Sequence, residues 1–105
     1  MNADILEGHH SCNLIHWANA SYRVGQEVPF GKPNEAISGH KDAADAFARM
    51  EEHLKANMIP LEGLSYQMGK KLSIDPKTEF TDDAEANKIL KPVYRKGFEV
   101  PESVA

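Results

Sequence analysis

The sequence predicts a mainly α fold: three helices joined by long irregular connections, with little or no β structure, in a single small unit spanning residues 1–105. Two observations carry this expectation. Apolar residues recur at helical spacing in three separate stretches, each bracketed by start and stop signals. Between those stretches, glycines and prolines interrupt every periodicity.

The first helix is expected over residues 5–23. Asp4 followed by Glu7 makes a D-x-x-E capping pattern, and Gly25 stands where a left-handed C-terminal cap is wanted. Ile15, Ala18 and Tyr22 share a helical face, with Leu14 and Trp17 beside them, so the helix carries a wide apolar face that needs a partner. Residues 25–39 contain three glycines and two prolines and read as a loop, with a short extended piece at Glu27 to Phe30. The second helix starts after Ser38 or Gly39 and runs to about Asn57, with Ala43, Phe47, Met50 and Leu54 at a 4-3-4 spacing. Its Lys41/Asp45 and Glu51/Lys55 pairs are a solvated outer face. Pro60, Gly63 and Gly69 then exclude a helix; Lys71 to Ile74 reads as extended and Asp75-Pro76-Lys77-Thr78 as a turn. A third helix follows, capped by Asp82 with Glu85, apolar at Ala86, Ile89 and Leu90, and stopped by Pro92 near Lys91. The tail from Val93 holds Tyr94 and Phe98 without periodicity and is expected to lie extended.

Composition narrows the function classes. With 41% hydrophobic and 27% charged residues the chain has the balance of a water-soluble globular protein, and no stretch is apolar enough for a membrane span. Twelve basic against sixteen acidic side chains, a formal charge of -4, and the absence of a Lys/Arg stripe argue against nucleic acid or an anionic membrane as partner. One cysteine makes no internal disulfide, and without an export signal in this chain the default compartment is the cytoplasm.

The stretch from Glu7 to Gly25 concentrates three histidines with Cys12 and Trp17. His9, Cys12 and His16, at i, i+3 and i+7, fall on one helical face and have the chemistry of two imidazoles and a thiolate for zinc. Zinc motifs draw ligands from two separated elements, so the spacing is better explained by packing, and no metal is expected. Cys12 and His16 as a nucleophile and base lack an orienting acid. The scattered glycines form no phosphate loop.

Three stretches in this order carry a resemblance: NADILEGHHSCNLIHWANASYRVGQEV, LSIDPKTEFTDDAEANKILKPVYR and FEVPE. Together they resemble the C-terminal end of the glucose-fructose oxidoreductase, inositol dehydrogenase and MocA family (Gfo/Idh/MocA), in a bacterial subgroup. The matching residues are Glu7, Gly8, His9, Ser11, Leu14, His16, Ala18, Asn19, Tyr22, Arg23 and Gly25, then Asp75 to Glu79, then Asp83, Glu85, Ala86, Asn87, Leu90, Tyr94 and Arg95. The second helix resembles an insertion carried by some members. The resemblance implies a much longer parent oxidoreductase acting on sugar or polyol substrates, with an NAD(P)-binding Rossmann domain and an α/β domain that bears the substrate site and often an oligomer interface. The family's dinucleotide fingerprint and its catalytic lysine motif are not found in these residues, so no catalytic or cofactor-binding position is transferred.

The expectation is therefore a catalytically silent C-terminal structural segment, truncated relative to its parent. Leu14, Ile15, Trp17, Ala18 and Tyr22 are its interface candidates, in a homo-oligomer, and His9, His16 and Arg23 its candidates for the rim of a substrate pocket. The alternative is a free-standing helical interaction or oligomerisation module using the same face.

Overall fold

A computed structural model describes residues 4–101. Among these residues the elements run α1 (Ile5–Arg23), β1 (Gln26–Pro29), α2 (Glu35–Ser38), α3 (Lys41–Ala56), β2 (Ser65–Met68) and α4 (Ala84–Leu90). The expected three-helix architecture with little or no β structure is thus corrected to a mixed one, with four helices and a two-stranded antiparallel sheet. The described residues divide into two compact units: one holds residues 4–20 and 72–101, the other is Ser21–Lys71.

The second unit is built on a strand pair that periodicity alone did not reveal. Gln26, Glu27, Val28 and Pro29 pair with Met68, Gln67, Tyr66 and Ser65, and Phe30 N donates to Leu64 O at 3.0 Å beyond them. Ser65-Tyr66-Gln67-Met68 alternates exposed and half-buried residues, which is the period of a strand packed on one side. Its four residues, hemmed in by Gly63 and Gly69, are too few to declare that period in the sequence. Pro29 is tolerated because a two-stranded sheet has an edge on both strands. Phe30, Phe47 of α3 and Tyr66 close into a triangle of rings with centroids 5.0–5.7 Å apart, the unit's apolar centre. On α3, Ala43, Phe47 and Leu54 are half-buried as their spacing predicts, whereas Met50 is exposed. The single turn α2 lies inside the stretch expected to be loop, and is capped by Asn34 Oδ1, which accepts from Ala36 N at 3.0 Å.

The end of α3 is a Schellman motif with an unusual occupant. Met58 N donates to Lys55 O and Ile59 N to Leu54 O, both at 3.0 Å, while Met58 sits at φ 59°, the left-handed position that glycine usually fills. Met58 is 91% exposed and packs on nothing that would repay the strain. Met58→Gly is therefore expected to stabilise this unit by roughly 0.5–1 kcal/mol, the relief exceeding the entropy glycine adds to the unfolded chain. Hydrogen exchange of the α3 amides measures it; an unchanged or lower protection would mean the turn is unstrained.

In the first unit, residues 73–82 fold back on themselves: Asp82 N donates to Ser73 O, Ser73 N to Asp82 Oδ1, and Ile74 bridges to Thr81. Asp82 is thus spent on the loop, and the α4 cap falls one residue later than expected, at Asp83, whose Oδ1 accepts from Ala86 N at 2.9 Å. Thr81, 8% exposed, and Ala86 are buried here, with Ala20 of α1.

Gly25 is needed, though for another reason than expected. It is not in the left-handed region, but a Cβ built on it would lie 2.1 Å from Met68 O. Close backbone approach demands the glycine.

Candidate functional site

Helix α1 has an acidic first turn at Glu7 and a basic last turn at Arg23, both matched to its dipole. Its faces differ sharply in surroundings. Asn13, Trp17 and Ala20 lie on a half-buried to buried side. Leu14, Ile15, Ala18 and Tyr22 are all exposed, the three large ones at 66%, 71% and 58%. Among the described residues, Trp17 is the one interface candidate whose side chain makes a hydrogen bond: its indole Nε1 donates to Glu79 O at 3.1 Å.

Glu79 organises the inner side. The Asp75-to-Phe80 turn is closed by Glu79 N to Asp75 O (2.8 Å), Asp75 N to Phe80 O (2.9 Å) and Lys77 N to Asp75 Oδ1 (2.8 Å), and the backbone donation from Lys77 holds the Asp75 carboxyl below its usual range. Glu79 itself stands at φ 61°, a left-handed conformation that costs energy for any residue with a side chain. Its carboxylate accepts from His9 Nε2 at 2.7 Å. Asn13 Nδ2 lies 3.0 Å from the same ring nitrogen. One nitrogen cannot both donate to Glu79 and accept from Asn13; the shorter, charge-assisted contact takes the proton.

This geometry lowers the Glu79 pKa, chiefly through the hydrogen bond from His9, with Asn13 and the charges of His9 and His10 adding to it and partial burial opposing it. A carboxylate held below its ordinary pKa contributes stability that is present above the unfolded value and is lost as pH falls through the folded one. We expect the urea midpoint of Trp17 fluorescence to fall for the native chain below the ordinary glutamate range, and Glu79→Gln to start lower and converge with it in acid. Parallel curves for the two proteins would remove the pair from the account of stability.

The candidate rim residues His9, His16 and Arg23 lie seven residues apart, on one edge of α1 and about 10 Å from one to the next. They do not converge. His9 is held by Glu79. His16, with Asn19, faces a cavity of about 320 Å3 walled by Ile89, Leu90 and Pro92. Arg23 is exposed and forms no ion pair among the described residues. Cys12 is an exposed free thiol, and no three His, Cys, Asp or Glu side chains among the described residues are placed to hold a metal ion. No helix among them is long and apolar enough to cross a membrane.

Sequence reasoning missed the residues that join the first unit together. Asn87 encloses the backbone of Thr81: its Oδ1 accepts from Thr81 N at 2.7 Å and its Nδ2 donates to Thr81 O at 2.8 Å. The Thr81 hydroxyl donates to the same Oδ1 at 2.9 Å and accepts from Asp83 N at 3.2 Å. The only available signal was an asparagine inside a short helix, where its propensity is poor. Set against known proteins, the chain matches no family model, no curated protein and no solved structure.

Proposed function

We propose that the chain is the C-terminal structural segment of a Gfo/Idh/MocA-like NAD(P)-dependent oxidoreductase, catalytically silent by itself, and that the outer stripe of α1 is the surface by which it docks. The observation that carries this reading is the exposure of Leu14, Ile15, Ala18 and Tyr22 along one side of a helix whose other side is occupied. Each large side chain forgoes about 1.5–3 kcal/mol of burial where it stands, and contiguous apolar exposure of this kind marks interaction surfaces.

The division of the chain supports the family reading. Most of the first matching stretch and the whole of the Asp75–Glu79 and Asp83–Arg95 matches fall within one compact unit. His9, Trp17, Glu79, Thr81 and Asn87 tie those separated stretches to one another. The α3 segment, which resembles an insertion, falls within the other unit.

Complementation tests it. A Gfo/Idh/MocA oxidoreductase truncated before its own last helix is mixed with the purified chain, and complex formation is followed by light scattering. A complex is expected, weakened at least tenfold by Ile15→Asp, which places an unpaired charge in the stripe. The chain alone is expected to bind neither NADH nor NADPH. Nucleotide binding by the isolated chain, or a complex indifferent to Ile15→Asp, would overturn the reading. A free-standing interaction module uses the same stripe, and is favoured if the chain associates but never with the truncated enzyme.

A further inference from the structure

Three polar side chains of the first unit close a triangle on its surface. His9 and Asn13 are four residues apart on one face of α1, and both meet Glu79 of the 75–80 turn. His9 Nε2 stands 2.7 Å from Glu79 Oε2 and 3.0 Å from Asn13 Nδ2, and Asn13 also hydrogen-bonds to the Glu79 carboxylate. As a hydrogen-bond network the triangle is over-subscribed. The imidazole nitrogen carries either a proton or a lone pair, and the carboxylate and the amide N–H ask opposite things of it. With the amide turned over, two oxygens would compete for one proton. An occupant that accepts a lone pair from all three groups at once removes the conflict.

We propose that His9 Nε2, Glu79 Oε2 and Asn13 Oδ1 form a site for a divalent first-row transition ion, bound through one face of its coordination sphere. Donors that share a face of an octahedron with bonds of about 2.1 Å stand about 3 Å apart, which is the spacing of this triangle. Imidazole nitrogen with carboxylate and amide oxygens is a borderline-to-hard donor set, suited to such ions rather than to soft cuprous copper. The ligands come from two separated elements, a helix and a turn, and two of them are oxygens, so this set differs from the His9, Cys12 and His16 spacing of the sequence; Cys12 takes no part. The third donor is an amide, which a grouping of His, Cys, Asp and Glu side chains alone leaves out. Binding needs the His9 proton on Nδ1, so that Nε2 offers its lone pair. The turn is already held for it, since Trp17 Nε1 donates to Glu79 O and Glu79 N to Asp75 O. The side chains of His9 and Glu79 are 52% and 34% exposed, so water reaches the outer face of the ion and fills its remaining positions. The site does not involve the outer stripe of α1, and it stands or falls separately from the docking function.

Cobalt(II) alone, titrated into the full chain with Trp17 fluorescence as the readout, tests it. Saturable quenching at one ion per chain is expected, because the indole is bonded to the residue that supplies a ligand. His9→Gln and Glu79→Gln preserve a hydrogen bond between the two positions and should keep the helix content seen by circular dichroism, while each weakens cobalt binding at least about tenfold. Asn13→Asp separates a metal site from a plain hydrogen-bond network. A second carboxylate beside Glu79 lowers the urea midpoint of the metal-free chain by like-charge repulsion, yet it should tighten cobalt about tenfold by replacing an amide oxygen with an anionic one. His10→Ala, Cys12→Ser and His16→Ala should each leave the affinity within about twofold, as none removes a donor. No saturation up to millimolar cobalt, an affinity lost with His10, Cys12 or His16 instead, or weaker binding by Asn13→Asp would overturn the site.

Discussion

Gly25→Ala is expected to destabilise the Ser21–Lys71 unit by about 3 kcal/mol, the upper part of the range for forcing a methyl group into a filled space. The added Cβ would stand 2.1 Å from Met68 O and 2.9 Å from the Cα of Gly69, and both obstacles are backbone. Neither can swing aside as a side chain would. The strand beyond is braced from the other side, since Ser21 Oγ donates to Lys70 O at 2.7 Å, Lys70 N to Ser21 O at 3.0 Å, and Gln67 Nε2 to Tyr22 O at 3.0 Å. Relief would therefore mean parting Gln26 from Met68, the terminal pair of the sheet. Hydrogen exchange at Val28, Tyr66 and their neighbours measures the loss. Gly8→Ala supplies the contrast: with open space around it, the same change should stabilise α1 by about 1 kcal/mol in dilute, monomeric protein. Equal effects at the two sites would mean that the approach at Gly25 is not rigid.

The second large effect is expected at Asn87. Asn87→Ala removes both side-chain bonds to the Thr81 backbone and leaves the N–H and C=O of a residue only 8% exposed without partners. The cost is about 2–3 kcal/mol, because an unsatisfied buried group loses its hydration without recompense. Asn87→Asp is the informative companion. It keeps an acceptor for Thr81 N but turns a second oxygen toward Thr81 O, so it should be no better than alanine. Trp17, the only tryptophan, reports on this unit through its bond to Glu79 O, and the urea midpoint of its fluorescence gives the comparison. A chain that tolerates Asn87→Asp would show that only the acceptor bond matters.

These two residues mark where reading along the chain succeeded and where it stopped. α1 at Ile5–Arg23 and α3 at Lys41–Ala56 were legible because long helices repeat their apolar spacing several times between cap and breaker. The extended piece around Glu27 was legible too, but its partner Ser65–Met68 was not, since pairing joins positions about forty residues apart and the strand spans only two side-chain alternations. Gly25 was singled out for a local reason, a helix cap, when the requirement is a contact with Met68. Asp82 was read as the cap of α4 from its spacing to Glu85, but its carboxylate accepts from Ser73 N and Asp83 caps the helix instead. In the site, His9 was visible as an unusual residue, while Glu79, its partner seventy positions away, entered only as the end of the Asp75–Glu79 match of the resemblance.

What the sequence by itself determined is the periodic and the local: where the long helices begin and end, and that α1 carries a wide apolar face. Periodicity and capping depend on neighbours within a few positions, so the residue order contains them. Only the tertiary structure decided which side of α1 is used. It set Trp17 and Asn13 inward and left Leu14, Ile15, Ala18 and Tyr22 outside. The physical reason is that the inner face is set by contacts with residues 62 and 70 positions away, the hydrogen bonds of Trp17 and His9 to Glu79 together with the burial of Ala20, which no local spacing reveals. The more apolar stripe was the stronger sequence signal for burial, and the described residues leave it exposed.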